Sequence, residues 1–240
     1  MTKEPLPAPR KRTRMRPEDR KRYVLDKAIE YFSDEGFDGG TRELAKRIGV
    51  TQALIFRYFP TKEDLINEVY REVYLSQWND DWQALLQDDT RSMSDRLHAF
   101  YNGFTGTFSR PWMRIFFFAT LRDVDIHKRY LMRVTQNLLL PICIGVRREL
   151  RINTDLPVSE LELHLAWTMH GAVFHQGIRE FIYGFPPPSA QNLRYHAAVR
   201  MYLADSAAQV PAEIARLHEL AERGEPQPHF DPILWRLPGV

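Results

Sequence analysis

The run TRELAKRIGVTQALIFRYFPTKEDL, residues 41–65, leaves the backbone few choices. In TRELAKRI, the apolar Leu44, Ala45 and Ile48 share one helical face. Gly49 and Val50 make a turn, because glycine accepts the left-handed conformation that ends a short helix. Thr51 is a hydroxyl cap for QALIFRYF, in which Ile55 and Phe59 lie four residues apart and face inward. Pro60 breaks that helix. Thr61 with Asp64 forms a capping box that opens a long helix predicted over 61–86. Helix, tight glycine turn, helix is the helix-turn-helix pattern. A further helix precedes it. Pro17, Glu18 and Asp19 start it, Val24, Ala28 and Phe32 recur along it with Leu25, Ile29 and Tyr31 beside them, and Gly36 stops it.

Beyond residue 86 the periodicity predicts helices over 93–108, 111–122, 127–151, 158–183, 189–208 and 211–223. Breaks fall at Arg110-Pro111, Asn153 to Pro157, Gly184 to Pro188, and Gly224. No stretch alternates with a period of two, so the expected fold is all-α. A flexible basic arm (1–16), a helix-turn-helix domain (17–62), a helical body (63–208) and a C-terminal helix with a proline-rich tail (209–240) are the expected parts. The apolar Phe230, Ile233, Leu234, Trp235 and Leu237 of that tail are expected to dock on the body.

Charge separates these parts. Residues 1–62 carry 15 Lys/Arg against 9 Asp/Glu, and residues 63–240 carry 18 against 22. A basic head on an acidic body suits a polyanionic partner. Other classes are excluded by composition. At 44% apolar the chain is no disordered polymer, and no apolar run reaches the roughly 20 residues of a bilayer span. A single cysteine, Cys143, allows neither a disulfide framework nor a cysteine-based zinc module. The basic start precedes no apolar stretch, so no secretory signal is read there and a cytoplasmic protein is expected.

In the order TRELA, GVTQA, FRYF, PTKEDL the chain resembles the DNA-binding domain of the TetR family of bacterial transcription regulators over about residues 20–70. The body matches that family in helical layout only. Physical reasoning assigns the reading roles: a helix fits the major groove, where base edges are distinguishable. Thr51 and its neighbouring amides suit a phosphate, Gln52 an adenine edge, and Arg57 a phosphate or a guanine edge, while Ala53 permits close approach. The resemblance adds Thr41 to phosphate, Arg42 to a base and Lys62 to phosphate. Phe56 stands where the family usually has tyrosine, losing a hydroxyl, and Tyr58 stands where histidine is common. The cap of the helix TRELAKRI is Gly40 or Thr41. The arm, with Arg10, Lys11, Arg12, Arg14 and Arg16, suits an adjacent minor groove.

The resemblance also implies what the body does. It makes 63–208 a ligand-binding and dimerisation domain that joins two heads into a homodimer on a pseudo-palindromic duplex, most simply as a repressor released by a small effector. The dimer would use helices 158–183 and 189–208. The first offers Leu163, Ala166, Trp167, His170 and Phe174, and the second Tyr195, Ala198, Val199, Tyr202 and Leu203. An apolar or aromatic effector would be lined by Phe104, Phe108, Trp112, Phe116, Trp167, His170 and Phe174. Phe116, Phe117 and Phe118 are consecutive and point in three directions. Helix 61–86 is the natural lever between head and body.

Histidine spacing argues against a metal site. At roughly 100° per residue His170 lies far around the helix from His164 and His175, which are themselves about 16 Å apart along it. No cofactor or metal is expected, Cys143 reads as a small buried apolar residue, and no nucleophilic triad, carboxylate pair or phosphate loop appears. The alternatives are an all-α enzyme or small-molecule carrier whose head does not bind DNA, and an interaction module built on the C-terminal segment.

Overall fold

The computed structural model describes residues 15–122, 124–152 and 154–228, and these contain helices but no β-strand. Arm residues Arg10, Lys11, Arg12 and Arg14 and tail residues Phe230, Ile233, Leu234, Trp235 and Leu237 lie outside the described residues, as does Asn153. No described helix is long and apolar enough to cross a membrane.

Three helices build the head. Pro17 opens α1 (Pro17–Glu35), with Glu18 and Asp19 in its first turn. Gly36 ends it at φ +76°, where a Cβ would also lie 3.0 Å from the Phe118 ring. Next come α2 (Thr41–Ile48) and α3 (Gln52–Tyr58), joined by Gly49 in the left-handed conformation. Gly40 is the α2 cap, its N–H donating to Glu43 Oε2 at 2.6 Å. The buried Leu44, Ala45, Ile48, Ile55 and Phe59 join Val24, Ala28 and Phe32 of α1 in one core.

The expected capping box opens α4 (Lys62–Tyr70): Thr61 Oγ1 accepts from the Asp64 N–H, and Asp64 Oδ2 from the Thr61 N–H, both at 3.0 Å. The helix does not reach residue 86. It continues through a π-helical turn, Arg71–Leu75, and stops. Asn79 Oδ1 then accepts from the Asp81 N–H at 2.9 Å to start α5 (Asp81–Gln87). The interruption turns Trp82 inward, edge-on to Phe100 at 5.1 Å between ring centroids, and burying that ring outweighs continuing the helix.

Serine caps start α6 (Met93–Gly106) and α7 (Arg110–Leu121). The helix expected over 127–151 forms as α8 (Ile126–Val134), a π-helical turn (Thr135–Leu139) and α9 (Leu140–Glu149). Pro141 has no N–H to give, and the wider turn before it absorbs the lost bond. After α10 (Glu160–Phe181) and a short turn at Gln191–Arg194, α11 (His196–Glu222) is continuous, where two helices broken near residue 210 were expected. Pro211 sits inside it. Buried Val210, Ile214 and Leu217 pack with Leu150, Ile152, Leu156 and Leu165, which offsets a proline cost of about 3 kcal/mol.

Head and body meet along two seams. Arg22 of α1 reaches Glu72 beyond α4 at 2.7 Å. The C-terminal half of α1 lies along α7, where Arg110 reaches Asp34 at 2.7 Å and Arg122 pairs with Asp38. The head is therefore joined to the body through α7 as well as through the helix that follows it.

Candidate nucleic-acid interface

Seven residues make α3, and their spacing sorts them into two faces. Ile55 is fully buried and Tyr58 is partly packed on the core, while Ala53, Phe56 and Arg57 face solvent. Thr51 caps the helix, its Oγ1 accepting from the Leu54 N–H at 3.2 Å. The exposed strip therefore begins at a helix N-terminus, the polarity that favours an anion.

Two predicted contact residues are tied to one another. Gln52 Nε2 donates to Thr41 Oγ1 at 2.8 Å, locking α3 against the start of α2. Thr41 is buried to 8% exposure, with its hydroxyl oxygen turned to the Gln52 amide. The bond leaves Gln52 Oε1 and a second amide proton for a base edge. Lys62 Nζ donates to the Phe37 carbonyl at 2.7 Å across the loop before α2, with two ammonium protons remaining.

Charge on the head is distributed unevenly. Arg22, Lys27 and Arg47 pair with Glu72, Glu30 and Glu35 at 2.7, 2.6 and 2.8 Å. Arg16, the described end of the arm, pairs with Asp19 at 3.0 Å. Arg42, Lys46 and Arg57 are exposed and meet no carboxylate among the described residues. Arg20 on α1 and Lys62 at the start of α4 likewise meet no carboxylate among the described residues, so three of the five such cations of the described head sit on α2 and α3. Lys46 escaped the sequence reading, though its place four residues after Arg42 puts it on the same helical face.

The seven aromatic and histidine residues assigned to an effector converge in the body. Ring centroids are 5.1 Å apart for Phe104–Phe108, 5.5 Å for Phe108–Trp112, 5.7 Å for Trp112–Phe174 and 5.3 Å for Phe116–Phe174. His170 lies 5.3 Å from Phe104 and 5.8 Å from Trp167. Sequence reasoning missed Tyr74 and Tyr130, whose rings lie 5.1 and 5.2 Å from Trp112. Neither adjoins the others in sequence, so no periodicity points to them. Phe118 leaves the cluster for Gly36, while Phe117 stays on its edge, 6.4 Å from Phe174. Within this apolar surrounding, the Tyr101 hydroxyl and His170 Nδ1 share a hydrogen bond of 3.2 Å. Burial pushes the imidazole down to about 4, so His170 is neutral near pH 7.

The stripes expected at a dimer interface lie mostly inside the protomer. Leu163, Ala166, His170, Tyr195, Val199 and Tyr202 are buried, and Trp167, Phe174, Ala198 and Leu203 are half-buried against the core. Helical spacing alone does not separate core from interface. The outer face of α10 and α11 instead carries a groove of about 620 Å³, bordered by Thr168, Ala172, Ala204, Ala208 and the exposed Met201.

Comparison with known proteins extends this geometry. Residues 24–69 match the family described as bacterial regulatory proteins, TetR family. Over 67 residues the chain is 42% identical to the HTH-type transcriptional regulator LuxR of Vibrio harveyi. That match spans 28% of this chain and 33% of LuxR, about a third of that relative's length. Among solved structures, AmtR of Mycobacterium smegmatis aligns with a TM-score of 0.53 at 18% identity, over 92% of this chain and all of that one. A TetR family transcriptional regulator of Pseudomonas syringae pv. tomato gives 0.54 at 18% identity, over 78% of this chain and 96% of its own. At such identities the likeness is one of fold, and it extends the resemblance from the head to the body.

Proposed function

We propose, from the premise that this chain belongs to the TetR family of bacterial regulatory proteins, that it is a transcription regulator reading double-stranded DNA through α2 and α3. The observation that carries the reading is the exposed strip of Ala53, Phe56 and Arg57 beside the unpaired Arg42 and Lys46. Gln52 enters the groove with Thr41 holding it, Thr51 and Lys62 take phosphates, and Tyr58 flanks them. The role is binding, with no catalytic step, in a cytoplasmic protein. Residues 17–62 are the reading unit and 63–208 the effector and dimer unit.

Two heads are needed to read a two-fold-related operator at a fixed half-site spacing. The outer α10–α11 groove supplies the homodimer contact, since small Ala172, Ala204 and Ala208 permit close helix approach beside Met201. The aromatic cluster receives a small apolar or aromatic effector, and the Tyr101–His170 pair offers it a polar contact. An effector that favours the DNA-incompatible arrangement releases the operator, making the protein a repressor. Through α7, which carries Trp112 and Phe116 on one side and grips α1 on the other, the cluster is mechanically continuous with the head.

Selection from a random duplex library at near-physiological salt tests the reading. The expected result is an enriched pseudo-palindrome, with sequence preference lost in a folded Arg42→Ala/Gln52→Ala variant. No enrichment by folded protein, or undiminished preference in the variant, would overturn it.

A further inference from the structure

We infer that Phe56 reads thymine by its 5-methyl group, an inference that rests on the DNA-binding role of α3. Phe56 is 38% exposed on a helix whose inward positions are fully used by Ile55 and the flanking Phe59. Its ring meets no other aromatic ring and no cation among the described residues. The ring keeps more than a third of its surface in water beside the unpaired Arg57 and next to the exposed Ala53, which leaves it able to make a contact outside the protomer.

The chemistry of that contact is restricted. Phenylalanine has no donor or acceptor, so it neither holds a phosphate nor pairs with a base edge. The one apolar feature that distinguishes bases in the major groove is the thymine methyl. Ala53 lies three residues before Phe56 and faces the same way, so the two make a short apolar strip along the groove. Arg57 and Gln52 flank that strip with hydrogen-bonding groups. The strip therefore divides the reading labour: polar side chains on either side select purine edges, and the ring between them requires a methyl.

Replacing thymines of the selected duplex one at a time by deoxyuridine tests this, because only the methyl is removed. Wild-type protein should lose roughly fourfold in affinity at one symmetric thymine position, the factor given by about 0.8 kcal/mol per buried carbon. Phe56→Ala should bind more weakly and treat thymine and uracil alike there, while keeping its helical circular dichroism. Equal wild-type affinity for every uracil-substituted duplex overturns the inference and leaves the DNA reading standing. So does undiminished discrimination in Phe56→Ala. Failure to enrich any duplex overturns both.

Discussion

The Arg114 guanidinium crosses from α7 to the end of α1, its Nε donating to the Ser33 carbonyl at 2.5 Å. A second donor, Nη2, reaches the Asp34 carbonyl at 3.3 Å. The last carbonyls of a helix have no partner within it and carry its negative pole, so a cation there satisfies both needs. The same side chain lies over the Phe118 ring at 5.2 Å. The body thus caps the head's first helix.

Removing that cap has a defined consequence. Arg114→Ala should cost about 1.5–3 kcal/mol in urea unfolding, the range for hydrogen bonds to a charged group. Hydrogen exchange should quicken at the Phe32–Gly36 amides before it changes elsewhere. Unaltered exchange at that junction would show that the cap does not hold α1 in solution.

How much of this was legible in the sequence depends on where the determinants lie. The head is bounded by local signals, among them Pro17, Gly36, Gly49, Thr51, Pro60 and the Thr61–Asp64 box, and each stands where the sequence places it. The body is decided by remote packing. Trp82 on Phe100 ends one helix early, and Val210 beside Leu150 carries another through Pro211. The exposed strip of α3 was legible because Ala53, Phe56 and Arg57 are what remains once Ile55 and Phe59 are placed inside. The bond from Gln52 to Thr41 and the turn of Lys62 toward Phe37 were not legible, since each joins residues on different elements.

A buried ion pair joins α9 to α10. Arg147 Nε and Nη2 each donate to the Glu162 carboxylate at 2.6 Å, and the remaining donors reach the Leu156 and Pro157 carbonyls at 2.6 and 2.9 Å. Both side chains are almost wholly buried. Truncating either partner strands the other charge, so Arg147→Met alone should cost about 3–5 kcal/mol. Arg147→Met with Glu162→Leu should recover part of that loss in chemical denaturation. A double variant no more stable than the single one would mean that the backbone contacts of the two side chains, including the Ser159 N–H held by Glu162 at 2.8 Å, outweigh the pairing.

Cys143 is the only thiol in the chain and lies in the core between α9 and α10, its Sγ donating to the Glu162 carbonyl at 3.5 Å. Burial pushes the thiol up to about 12, so the reactive thiolate is suppressed at physiological pH. Native protein should react with a maleimide at pH 8 at a rate that follows unfolding, and reaction should become fast in urea. Rapid labelling of native protein would contradict the packing of α9 on α10.

His170 makes stability depend on pH with a predictable sign. Its imidazole is held down to about 4 by burial, against about 6.5 in the unfolded chain. Below 6.5 the unfolded state takes up a proton that the folded state refuses, so stability falls as pH falls and levels off near 4. The full effect is about 3 kcal/mol, with about 2 kcal/mol of it lost between pH 7 and 5. His170→Gln keeps a polar partner for the Tyr101 hydroxyl but carries no titrating group. Urea midpoints measured from pH 7 to 4 should therefore fall less steeply for the variant, the other histidines contributing equally to both proteins. Parallel curves would place His170 in contact with water. An effector that packs against the imidazole should carry the wild-type decline to lower pH without steepening it above pH 5, because further desolvation lowers only the folded proton affinity.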